Sequence, residues 1–132
     1  MYDRPDPVEQ LAAVAEFLRD QVMPRVDGQL AFHVRVAANM LDMVSRQTRL
    51  APQAEAAELV RLRNLLGTED KHATLADLNR QLCERIADGS FGMDTPGLTH
   101  HLWHVTLDKL AVDQPRYDTL LRLVAAAKIK EA

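Results

Sequence analysis

His100, His104 and Asp108 are the residues of this sequence whose types and spacing are best suited to chemistry. Steps of four stack them along one face of a helix, and imidazole and carboxylate are good ligands for zinc or a related cation. One helix face supplies only part of a ligand set. This strip also coincides with the only arc of its helix expected to face solvent, the arc that holds His101 as well. An exposed polar strip is therefore the plain reading of the three residues, and a metal-dependent enzyme is the alternative. A carboxylate-bridged di-iron bundle asks for Glu-x-x-His pairs on two facing helices. Glu69 to His72 is such a pair, but it sits in a polar stretch of loop composition. No cofactor is expected.

Arg35 and Asn39, also four apart, form a second constellation. They project together from a helix that is otherwise nearly all apolar, as an anion or carbonyl site requires. Arg116 and Tyr117 follow Pro115 at the start of a further helix, where unpaired N–H groups favour an anion. These four are the candidate binding residues, for an anionic small molecule. Capping duties or a polar network between helices would account for them equally. Asp42 and Arg46 are spaced to pair at i,i+4, and His33, within an apolar arc, is expected to be neutral and hydrogen-bonded. There is no Gly-x-Ser-x-Gly and no glycine-rich phosphate loop. The lone Cys83 flanks an inner stripe, where a thiol acts as a small hydrophobe. Nothing supports catalytic turnover, so the expectation is a non-catalytic binding or accessory module. A purely structural homodimer, with Phe17 or the Phe91 link as exposed apolar contact, is a further alternative.

The elements that must position these residues read as helices throughout. Asp6 caps a first helix with Pro7 in its opening turn, running to about Met23, its core stripe made of Val8, Leu11, Ala15, Leu18 and Val22. The segment Asp27 to Leu50 predicts a long central helix, apolar over roughly two thirds of its circumference and hence surrounded by others. It ends before Pro52, and a short third helix runs from Pro52 to Leu66. Thr74 caps a fourth, with Leu75, Leu78, Leu82 and Ile86 on one face, stopped by Gly89. A fifth extends from Pro96 to about Val112, with Leu98, Leu102, Val105 and Val112 on one stripe and Trp103, Leu107 and Leu110 on another. A sixth starts at Pro115, with Tyr117, Leu120, Leu123, Val124 and Ala127 inward. The expected fold is all-α: one domain over residues 1–132, an irregular bundle of five to six helices with the second and fifth at its centre.

Composition agrees. Leu and Ala dominate the apolar set while aromatics make up 5% of the 132 residues, which favours helix over strand. The formal charge is -3 with acids and bases interleaved, so no nucleic-acid footprint stands out. One cysteine excludes an internal disulfide, the opening residues lack a signal-peptide pattern, and no apolar run is long enough for a membrane span. A cytoplasmic location without membrane or nucleic-acid partners is expected, with homo-oligomers allowed.

Two runs carry a resemblance: Phe32-His33-Val34-Arg35-Val36-Ala37-Ala38-Asn39-Met40-Leu41 and Lys109-Leu110-Ala111-Val112-Asp113-Gln114-Pro115-Arg116-Tyr117. With the opening Asp3-Arg4-Pro5 and Leu78-Asn79-Arg80-Gln81-Leu82-Cys83, they resemble a small bacterial domain family of unknown function. Members are typically encoded beside, or joined to, an aminoglycoside-phosphotransferase-like kinase, often near an acyl-CoA dehydrogenase. The resemblance implies a helper in acyl-CoA or hydroxyacid breakdown with a kinase-like protein partner, and it brings no catalytic residues with it.

Overall fold

A computed structural model of the chain describes residues 4–131, with side chains through residue 126. Asp3 and the inward position expected for Ala127 lie outside the described residues. Five α-helices and no strand are found among them: α1 (Pro7–Phe17), α2 (Gly28–Leu66), α3 (Leu75–Ala87), α4 (Leu98–Asp113) and α5 (Asp118–Glu131). The all-α expectation holds. The chain divides into two compact units, Met1–Ala51 and Pro52–Ala132.

In the first unit, Asp6 starts α1 as predicted. Its carboxylate accepts from the Glu9 amide at 2.9 Å while the Glu9 carboxylate accepts from the Asp6 amide at 2.8 Å, satisfying two donors that a helix end leaves over. After Phe17 the coil widens into a π-helical turn over Leu18–Val22 and tightens into a 3-10 turn over Met23–Arg25, where Pro24 removes a donor. The Asp27 carbonyl takes the first bond of α2, from Ala31.

The expected break before Pro52 is absent: α2 runs unbroken for 39 residues with Pro52 inside it. Proline there leaves the Thr48 carbonyl without its helical donor. Both Thr48 and Pro52 are exposed, so water can solvate that carbonyl and the helix continues. The six-helix count therefore becomes five, since the second and third predicted helices are one.

The core also lies elsewhere than expected. Leu62 and Leu66 of α2, Leu78 and Leu82 of α3, and Leu98 of α4 form the buried cluster, with Leu59, Leu65, Ala73, Leu75 and Phe91 packed against it. All belong to the second unit. Thr74 opens α3 as predicted, in a capping box with Asp77. Gly97, at φ +86°, turns the chain into α4; the left-handed conformation disfavours any residue with a side chain.

The amino-terminal half of α2, expected to be the buried rod, buries only Val34 and Ala38, while Leu30, Phe32, Val36, Met40, Met43 and Val44 are exposed. His33 is exposed too, so its expected buried role is corrected. Periodicity shows that the arc is apolar; nothing in residues 1–51 packs over it. Phe17 is exposed, as expected of an outward contact, whereas Phe91 tucks against the leucine cluster with the Arg85 guanidinium 5.2 Å from its ring centre. Cys83, expected beside an inner stripe, is also exposed.

Candidate functional site

The polar strip of α2 in the first unit is tied to the chain before it. The Arg19 guanidinium binds both Asp42 carboxylate oxygens and reaches the Asn39 amide oxygen at 3.4 Å. Asn39 thus already holds a cation, and Arg35 stands exposed one turn away. Arg116 and Tyr117 belong to the second unit, so the four candidate binding residues are divided between the two. No helix starts at Pro115: α5 begins at Asp118, and the Tyr117 amide donates back to the Gln114 carbonyl at 2.9 Å in a tight corner. Arg116 and Tyr117 sit exposed on that corner, which corrects the inward position expected for Tyr117.

On α4, the His100 and His104 rings lie with centres 4.3 Å apart and planes tilted by 57°, but Asp108 is engaged by Arg61 of α2 at 3.4 Å. Among the described residues no group of three or more His, Cys, Asp or Glu side chains is arranged to hold a metal ion.

The residue that sequence reasoning misplaced is His101, which is 2% exposed rather than on the solvent arc. Leu98, His101, Val105, Asp108 and Val112 follow alternating steps of three and four, so the inward seam of α4 carries an imidazole and a carboxylate at positions where a leucine would ordinarily sit. That spacing was the available signal. Burial pushes the His101 imidazole below its ordinary pKa; the nearby Glu58 carboxylate opposes this, and Arg61 and His100 add to it. His101 Nδ1 and Arg61 Nε are buried and make no hydrogen bond among the described residues. Glu58 accepts from the Asn79 side-chain amide at 2.9 Å, so α2, α3 and α4 each contribute to this polar patch at the flank of the leucine core.

Beyond the corner, α4 and α5 enclose an open groove of about 360 Å³ lined by Ala111, Pro115, Leu120, Leu121, Val124 and Ala125. The side chains that line it are all apolar. Stepping back along α4 from Ala111 by fours leads through half-buried Leu107 to Trp103, on the same helix face, which is 49% exposed. Tyr117, 45% exposed, precedes the first turn of α5.

The chain belongs to the family described as Domain of unknown function (DUF6285), whose profile matches residues 24–117. The matched segment takes in α2, α3, α4 and the corner through Tyr117. No curated protein and no solved structure matches the chain.

Proposed function

We propose that this domain is a non-catalytic accessory module that docks on a phosphotransferase-like kinase, in acyl-CoA or hydroxyacid metabolism, through the groove and corner between α4 and α5. The observation that carries the reading is the apolar-lined groove next to the exposed corner residues Arg116 and Tyr117, with exposed Trp103 two turns back along the same face of α4. Tryptophan, tyrosine and arginine are the side chains that most often dominate protein interfaces, because each joins a large contact area to a polar tip. The choice of a kinase-like partner rests on the resemblance. Its second run, Lys109 to Tyr117, contributes Ala111 and Pro115 to the groove wall and contains both corner residues.

The test is titration of the domain with a kinase-like protein encoded beside it. Trp103 is the sole tryptophan, so its fluorescence reports the event directly. A complex should form with a blue shift, and Trp103→Ala and Tyr117→Ala, followed by calorimetry, should each weaken it at least about tenfold. Absence of a complex, or binding indifferent to both substitutions, refutes the assignment.

A further inference from the structure

The six large apolar side chains left exposed on the amino-terminal half of α2 are not scattered. At about 100° per residue, Phe32, Met43, Val36, Met40, Val44 and Leu30 occupy one continuous arc opposite Val34 and Ala38, the two buried positions. From residue 29 to residue 48 that arc holds no Asp, Glu, Lys or Arg: Arg35, Asp42 and Arg46 all project from the other side, and the polar residues that interrupt it include His33 and Gln47. Leaving a surface so wide and apolar in water costs free energy.

We propose that this face is a self-association surface: a second copy of the chain packs its own α2 against it, antiparallel, with Met40 on the twofold axis. Three observations select this occupant. The sequence around Met40 is self-complementary at the spacings a helix pair uses. Val36 and Val44 lie four residues to either side, Ala37 and Met43 three, His33 and Gln47 seven. An antiparallel twofold therefore sets valine opposite valine, alanine opposite methionine and imidazole opposite amide. The absence of charge means that an identical surface brings no like-charge repulsion, the usual obstacle to a face meeting itself. Finally, the exposed parts of the six side chains amount to on the order of 500 Å² of apolar surface, close to the non-polar share of the roughly 800 Å² that each partner contributes to a standard stable interface. The surface shares no residue with the α4–α5 groove and does not depend on the kinase reading.

Sedimentation of the full chain over a range of concentrations is the first measurement. The mass should rise from one chain to two, and Met40→Glu should weaken this at least about tenfold with an unchanged helical spectrum. Phe32→Lys, at a position 59% exposed, serves as a second variant that the fold tolerates. Orientation is read by mild oxidation in a Cys83→Ser background. Met40→Cys should cross-link to itself. Val36→Cys should not, because an antiparallel pair separates its two copies by about eight residues of rise, roughly 12 Å, beyond disulfide reach. A monomer at every concentration, association unaffected by both charged variants, or cross-linking through Val36→Cys would each overturn the proposal.

Discussion

Residues 1–51 and residues 52–132 draw on similar stocks of apolar side chains and use them differently. In the second unit, leucines at helical spacing form narrow stripes on three helices, and five of them are lost to water together. In the first, the buried apolar residues are the small Ala15 and Ala38 and a single valine, Val34, and the link across is polar, Arg19 to Asp42 and Asn39. That ion pair is about one third exposed on each side, so it contributes modestly. The comparison teaches that apolar content does not by itself make a core. A stripe narrow enough to be covered by one neighbour is buried, whereas an arc spread around a helix needs more neighbours than fifty residues of chain supply.

The sharpest way to break this contrast is a matched pair of truncations. Leu62→Ala, at a fully buried position, should cost about 2 to 5 kcal/mol in urea unfolding, through lost transfer energy and the cavity left behind. Met40→Ala, at a position 60% exposed, should cost less than about 0.5 kcal/mol when measured on dilute protein. Similar losses at the two positions would mean that residues 1–51 hold a core of their own.

A second contrast is in pH. The folded-state pKa of His101 is depressed by burial, so the folded chain keeps the imidazole neutral while the unfolded chain protonates it near pH 6.5. The unfolded state then binds more protons, and stability present above that pH is lost as pH falls below it. The slope is at most about 1.4 kcal/mol per pH unit from this one group. Urea midpoints of wild type and His101→Leu, compared between pH 7.5 and 5.5, should show this share of the acid sensitivity disappearing in the variant. Unchanged acid sensitivity would show that His101 is not held neutral.

The smallest effect expected is in the caps. Thr74→Ala removes the hydroxyl that accepts from the Asp77 amide at 3.2 Å and should cost about 1 kcal/mol, because α3 carries Leu78 and Leu82 of the leucine cluster. Asp6→Ala at the equivalent position of α1 should register mainly as faster amide exchange in the first turn, since the only buried residue of α1 is Ala15. The Thr74 hydroxyl and amide also hold the Asp77 carboxyl below the usual carboxylate range, with Arg80 assisting. The contribution is present above the ordinary aspartate pKa and lost as pH falls through the lowered one. Equal global losses from the two cap variants would remove the distinction between the units.

Local rules made part of this legible in the chain. Asp6 and Thr74 were identified as caps, and Leu78 and Leu82 as an inward stripe, because capping and amphipathic spacing are settled within a few residues. The continuity of α2 was hidden because Pro52 is a strong breaker unless its orphaned carbonyl faces water, which depends on tertiary exposure. The exposure of Phe32 and Met40 was hidden for a related reason: an arc shows what it needs, not whether a neighbour arrives. His101 was grouped with His100 and His104 by residue type, although its register with Leu98, Val105 and Val112 marked the inward seam. Of the candidate binding residues, Arg116 and Tyr117 lie on a corner rather than in the helix that Pro115 suggests, because the chain first closes a turn from Gln114 to Tyr117, while the hold of Arg19 on Asn39 comes from a side chain twenty residues earlier that no local pattern could connect.

Pro52, unremarkable as an exposed residue, has a consequence for how the chain comes apart. A helix normally transmits melting along its ladder, each broken bond loosening the next. At Pro52 the ladder lacks a rung, and it lacks it at the boundary between the two units. An opening that begins in residues 1–51 therefore meets a step with one bond fewer to break, placed ahead of the leucine cluster.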